Sequence, residues 1–299
     1  MSTINDLKTF PKTPSEIEPA GPGDASDPGS IETVIRSNPG WIAINWDELI
    51  QSHELFATLV ARDLMVRYKQ TVLGVAWAVI QPVFSMVVFT VIFGRLVGVK
   101  TDMPYPLFVY AGLVPWTFFT NAVSGAAISL ITNQNMLTKI YFPRLYVPAS
   151  TVGGFLVDLM IGLSLFAVLM PFYHFSPGWG LLALPFAIAL NFAAALGFGM
   201  ALAALTVLYR DLRFVIPFAL QLLMYVSAVI VPMTGLRREL QLLASLNPMY
   251  GVVLAYRSSL LGMPWDLPVL AISAVSTGVA LAFGLYFFRK TERLIADIA

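Results

Sequence analysis

Residues 70–94 run for 25 positions without an acid or a base. A helix rises about 1.5 Å per residue and a bilayer core is about 30 Å thick, so roughly 20 apolar residues cross it. The run is long enough. Arg62, Arg67 and Lys69 stand immediately before it, the arrangement of a cytoplasmic membrane face. The stretch 61–98 therefore joins a helix lying on the inner surface to a helix that spans.

The charged half has its own pattern. Asp63 and Arg67 are four apart with the acid first, the better order for a helical ion pair. Leu55, Phe56, Leu59, Val60 and Leu64 recur at helical spacing and face lipid tails or the helix bundle. An ordinary interfacial helix with snorkelling cations has the same composition.

The rest of the chain is built of similar material. Of 299 residues, 58% are hydrophobic and 12% charged, where soluble domains carry about 25% charged residues. Mean hydropathy is +0.76. The expected fold class is an all-α integral membrane protein. A net charge of +1 gives no field pointing to nucleic acid, and the absence of cysteine excludes disulfide, thiol and Cys-based metal chemistry. His53 and His174 fall on opposite predicted sides of the membrane, so no metal site is expected.

Six spans fit the hydropathy, at about 73–97, 106–131, 147–172, 181–208, 214–233 and 267–288. Gln81-Pro82 within the first predicts a kink. His174 aside, Asp158 is the one acid or base between Leu145 and Tyr209. An intramembrane carboxylate is a functional candidate by default. A lone one supplies no proton relay, so the reading here is a side chain neutral or hydrogen-bonded among neighbouring helices. The linker 133–148, with Lys139 and Arg144, is cytoplasmic by charge, as is the turn 209–213. Residues 235–265 are apolar but broken by Arg237, Arg238, Glu239 and Arg257 and split at Asn247-Pro248, which predicts two short interfacial or re-entrant helices. The tally of cations places both termini in the cytoplasm, with Arg95, Lys100, Arg237, Arg238 and Arg257 as outer departures. Residues 1–40, rich in Pro, Gly, Ser and acids, read as a disordered cytoplasmic tail and not as a signal peptide. Residues 41–70 form an interfacial amphipathic segment, and 71–299 the six-helix membrane domain.

Several of these stretches together carry a resemblance. Arg62-Asp63, Arg67-Tyr68-Lys69-Gln70-Thr71, Leu73-Gly74, Trp77 and Gln81-Pro82 resemble the opening of permease subunits of ABC-2-type exporters of O-antigen, capsule and teichoic acid. The sequence 112–119 (GLVPWTFF), the core 141–144 (YFPR), the turn 209–211 (YRD), and Asn247-Pro248 followed by Tyr256-Arg257 continue it. The resemblance implies that Lys139, Tyr141, Phe142, Pro143 and Arg144, with Arg210 and Asp211, couple to an ATPase. It implies an outer gate at Asn247, Pro248, Tyr256 and Arg257. It implies a homodimer with two ATPase copies and a lipid-linked glycan as cargo, in a bacterial inner membrane. Arg62, Arg67, Tyr68 and Lys69 are then candidates to attract the lipid diphosphate at the inner leaflet. Trp77 and Trp116 are candidates to stack on sugars in the channel. The plainer account of Trp116 is interfacial anchoring, and that of the 141–144 core is a positive-inside loop.

The chain contains no GxxxxGK[ST] phosphate loop. It is therefore expected to be no enzyme, with no cofactor of its own, and ATP and Mg bound by the partner subunit. Two other functions fit less of the pattern. A drug or small-lipid ABC-2 permease shares the architecture, but such permeases usually match the 67–82 opening poorly. An ion-coupled secondary transporter needs intramembrane charges and often internal repeats, and this sequence has one such charge and no repeat.

Overall fold

The structure is a computed structural model of the full chain. It describes residues 53–69, 76–99, 101, 103–137, 142–175, 178–232, 235 and 237–298, with side chains as far as 292. The expected tail, Trp41, Trp46, Leu73-Gly74, Lys139 and Tyr141 lie outside the described residues.

Every element among the described residues is helical. In chain order they are α1 (His53–Lys69), α2 (Ala76–Phe89), α3 (Tyr105–Thr132), α4 (Tyr146–Phe172), α5 (Leu184–Leu208), α6 (Leu212–Val226), α7 (Arg238–Ala244), α8 (Pro248–Leu261) and α9 (Leu267–Ile298). A single turn, Gln134–Leu137, follows α3. α2 continues as a π-helical stretch, Thr90–Leu96, and α5 is entered through a 3₁₀ turn, Trp179–Ala183. α2 runs through Pro82 as one helix. Its departure from α geometry is the π stretch further on.

α3 is the central post. It is uncharged throughout, and its apolar residues are buried on every side against α4, α5, α6 and α8. α5 has small residues (Ala194, Ala195, Gly197, Gly199) where it meets its neighbours, and α9 packs closely along it. A Cβ on Gly197 would stand 2.7 Å from the Leu281 Cα, so the two backbones touch there and no larger side chain fits.

Among the described residues five helices are long and apolar enough to cross a membrane, where the hydropathy predicts six. The exception is the expected fifth span at 214–233. Its helix, α6, has 15 residues, about 22 Å of rise. Residues 227–232 then leave helical geometry, with Ala228 at φ 54°. Hydropathy does not register this break because the residues stay apolar across it. α7 and α8 follow as the two short helices expected on either side of Asn247-Pro248.

Candidate functional site

The last turn of α1 and the first turns of α2 meet α3 and α4 around a cavity of about 220 Å³. Arg67, Tyr68, Trp77 and Gln81 line it from one side, and Asn121, Phe155 and Asp158 from the other. Two of the four residues expected to attract the lipid diphosphate, Arg67 and Tyr68, therefore share one wall with one of the two aromatics expected in a channel, whereas Arg62 and Lys69 do not line it. Trp77 is 53% exposed and available. Trp116 is buried, tilted against Phe119 with ring centroids 5.8 Å apart, and packs in the core.

Charge pairing at this cavity differs from the helical pair expected between Asp63 and Arg67. Arg67 Nη1 donates to Asp158 Oδ2 at 2.9 Å, and the Tyr68 hydroxyl donates to Asp158 Oδ1. The Arg67 guanidinium also lies 3.5 Å from the centroid of the Phe155 ring. Asp63 pairs instead with Arg62, whose Nη2 reaches its Oδ1 at 2.7 Å, and its other oxygen accepts the Thr151 hydroxyl at 3.3 Å. The physical reason is the surroundings. An exposed i, i+4 pair contributes only about 0.3–0.5 kcal/mol, whereas an acid away from water needs a partner. Asp158 is accordingly ion-paired, and the expected hydrogen bond to a neighbouring helix is part of that arrangement. The sequence marked Asp158 as one acid in a long apolar stretch, but not its partner, since Arg67 is 91 residues away and comes beside it only through the packing of α1 on α4.

Arg62 also ties α1 to the loop after α3. Its Nη2 donates to Asn133 Oδ1 at 2.8 Å and its Nη1 to the Met136 sulfur at 3.0 Å. Phe56 and Val60 pack on α4 where Gly153 leaves room, and Asp63 and Arg67 meet α4 progressively further along. Lys69 is exposed at the end of α1.

The two loops expected on the inner side are built differently from one another. Phe142 is 8% exposed and packs with Leu59, Tyr146, Met200, Ala203 and Phe288. Arg144 Nη1 donates to the Glu292 carbonyl at 3.2 Å. Phe142 thus anchors its own loop to α1, α5 and α9 and offers little surface to a partner. Pro143 is half-buried. Tyr209, Arg210 and Asp211 are exposed. Val207, two residues before Tyr209, packs against the Phe142 cluster, so both loops sit at one end of the bundle.

At the other end, the carbonyls freed by the break after α6 are taken up by side chains. Arg257 donates from Nη1 to Ala228 O at 2.8 Å, from Nη2 to Val229 O at 2.7 Å and from Nε to Phe108 O at 3.3 Å. Its guanidinium stacks 3.6 Å from the Phe108 ring centroid. The Tyr105 hydroxyl donates to Ile230 O at 2.9 Å. Asn247 Oδ1 accepts the Met249 N–H at 3.1 Å, capping α8, and its Nδ2 donates to Ser227 Oγ at 2.8 Å. Pro248 occupies the first helical position, and Tyr256 is fully buried. Sequence reasoning placed all four residues at an outer gate. The structure shows that Arg257 and Asn247 hold the break in place. Arg238, another of the outer cations, pairs through both nitrogens with Asp266, at 2.9 Å for Nη2 to Oδ1. That bond holds the Asp266 carboxyl below its ordinary range.

The family described as ABC-2 type transporter matches residues 54–261, from the start of α1 to the end of α8. The chain belongs to this family. It is 29% identical over 256 residues to the O-antigen export system permease protein RfbA of Myxococcus xanthus, covering 84% of this chain and 98% of that one. It is 22% identical over 241 residues to the polysialic acid transport protein KpsM of Escherichia coli, covering 78% and 92% respectively. It is 27% identical over 225 residues to the inner membrane transport permease YadH of Escherichia coli (strain K12), covering 72% and 87%. The matches to RfbA and KpsM run nearly the full length of those proteins, so the resemblance read from short motifs extends through the fold.

Proposed function

We propose that this chain is the membrane subunit of an ATP-driven exporter that moves a lipid-linked, O-antigen-like polysaccharide across the bacterial inner membrane. The observation that carries this reading is the cavity at the end of α1. It sets a guanidinium and an exposed indole side by side within a largely apolar wall, and a lipid diphosphate joined to a sugar presents those same three chemistries. The names of the RfbA and KpsM relatives support the same cargo class. In this reading Arg62, Arg67, Tyr68 and Lys69 receive the diphosphate at the inner leaflet and Trp77 meets the first sugar.

The working assembly is a homodimer with two ATPase subunits, which bind ATP and Mg. Tyr209, Arg210 and Asp211, exposed at the inner end of the bundle, are its contacts, together with Lys139 and Tyr141. Phe142 and Pro143 shape the adjoining loop from within, and Arg144 fixes it to α9. Asn247, Pro248, Tyr256 and Arg257 form the outer gate. Both termini are cytoplasmic, with 1–40 a dispensable tail, 41–70 an amphipathic segment and 71–299 the membrane domain.

The purified chain alone is expected to hydrolyse no ATP. A strain lacking it should lose its surface glycan and accumulate the lipid-linked form inside, with both reversed on re-expression. The YadH match, a relative whose name specifies no cargo, supports a second reading as a drug or small-lipid permease. Unchanged surface glycan with loss of resistance to a toxic compound would favour that reading.

A further inference from the structure

We propose that Asp158 is a resident competitor for Arg67, keeping the uptake cavity closed to monoanionic phospholipids and yielding the arginine to a lipid-linked diphosphate. The inference rests on the reading of the cavity given above and assigns a specificity role to a residue outside the family motifs.

The two carboxylate oxygens are held separately. Arg67 takes Oδ2 at 2.9 Å and the Tyr68 hydroxyl takes Oδ1. Loss of the first bond leaves the second in place, so the carboxylate keeps a donor when the guanidinium turns to another anion. Arg67 is itself held from behind by the Phe155 ring, 3.5 Å away, whichever anion it faces. The pair is partly open, with side-chain exposures of 26% for Arg67 and 17% for Asp158. It lines a cavity with room for a ligand group, where exchange is sterically possible.

Charge then decides what can exchange. The paired site is neutral, since Arg67 and Asp158 are the only charged residues lining the cavity among the described residues. A phosphodiester replacing Asp158 brings one charge for one charge and leaves the carboxylate with only a neutral donor, so it gains nothing. A diphosphate brings more charge and more acceptor oxygens. It can engage Arg67 bidentately while its remaining oxygens and charge stay available to the polar groups of the cavity, Gln81 and Asn121 among them. The carboxylate therefore sets a threshold that ordinary bilayer lipids do not pass. That is discrimination by an unfavourable alternative and not by attraction alone.

The test uses the full complex of permease and ATPase in phosphatidylcholine nanodiscs carrying either undecaprenyl diphosphate or phosphatidylglycerol, with ATPase rate as the readout. The wild type should be stimulated by the diphosphate and not by phosphatidylglycerol. Asp158→Asn, which keeps the shape and the Tyr68 contact, should respond at about tenfold lower diphosphate, the size expected from losing one competing charge-assisted bond. It should also begin to respond to phosphatidylglycerol. Tyr68→Phe removes the donor that keeps the displaced carboxylate and should need more diphosphate, a shift opposite in sign. Arg67→Ala should abolish both responses. If the wild type responds but Asp158→Asn keeps its half-stimulating concentration and its indifference to phosphatidylglycerol, the competitor role is overturned and the uptake reading stands. If Asp158→Asn does not assemble, Asp158→Ser, which removes the charge with a smaller side chain, decides, and an unchanged diphosphate requirement overturns the role. If the wild type ignores the diphosphate, or Arg67→Ala responds like the wild type, the uptake reading falls and the proposal with it.

Discussion

Taking a guanidinium fully out of water is unfavourable unless its N–H groups find acceptors. Arg257 satisfies this with two backbone carbonyls left over by the break after α6, Ala228 O and Val229 O, and with Phe108 O of α3, so each defect completes the other. Gly112 belongs to the same arrangement, because a Cβ there would lie 2.9 Å from Arg257 Nη2 and 3.0 Å from Val229 O. Arg257→Lys keeps the charge but loses the fork, and a lysine cannot serve three carbonyls in that geometry. Each carbonyl left unpaired costs about 1–3 kcal/mol, so the variant should melt measurably lower in detergent and expose residues 227–232 to protease. An unchanged melting temperature would mean the break is held by other contacts. Asp266 offers a milder test. Its carboxyl is held low by Arg238 and accepts the Val269 N–H at 3.3 Å. A depressed carboxyl contributes stability above its unfolded value, about pH 3.9, and loses it as pH falls through the folded value. The α7–α9 contact should therefore be insensitive from pH 5 to 8, as hydrogen exchange of α7 can show, and loosen only in acid below about pH 4. Asp266→Asn, which retains a capping oxygen, should remove that acid transition. Arg238 is 48% exposed, so solvent screening keeps the effect small.

At the scale of elements, length and hydropathy located the starts of α2, α3, α4, α5 and α9 within a few residues, because a membrane span is specified by composition, while α9 runs ten residues past its expected end. They did not resolve α6. An apolar sequence reads the same whether its carbonyls bond along the helix or to side chains from α3 and α8. The inner loops show a second limit. The motif around Phe142 was legible, but which way its ring faces depends on Leu59, Met200 and Phe288, from three distant parts of the chain. A loop with a buried aromatic and an exposed polar neighbour separates two effects in one experiment. Phe142→Ala leaves a void among packed helices and should destabilise the permease itself, by on the order of 3 kcal/mol. Arg210→Ala with Asp211→Ala removes only exposed charge and should leave the stability within about 0.5 kcal/mol of the wild type. The double variant should nonetheless co-purify less ATPase and display less surface glycan. Full ATPase recovery with the double variant would move the docking surface away from residues 209–211.

For the whole molecule, the described helices leave two apolar faces thinly covered. The 18-residue window of α2 is 11% buried, compared with 61% for that of α3. Its exposed residues Trp77, Phe84 and Val91 are seven apart, and Ile80 and Val87 fall between them at the same spacing. Any one face of a helix recurs at that spacing, so this stripe, a seam for a partner helix or for lipid alike, is marked by its lack of cover and not by its register. On α6, Phe214, Phe218, Leu222 and Tyr225 share one exposed stripe, with Ile216 and Leu220 facing inward. α6 is too short to cross alone, and the irregular backbone after it is covered within the protomer only as far as Ile230. Val231, at the far edge of that break, is 44% exposed. The exposed face of α9 is similarly apolar, with Val275, Val279 and Phe283 outward, but it belongs to a regular helix that needs no cover. These differences place the proposed two-copy interface on α2 and α6. The chain has no cysteine, so single introduced thiols report without background. Phe84→Cys and Phe218→Cys, alone and together, should yield disulfide-linked dimers on mild oxidation in membranes, and Val279→Cys should not. Crosslinking through Val279 with none through α2 or α6 would put the interface on α9 and leave the seam on α2 facing lipid.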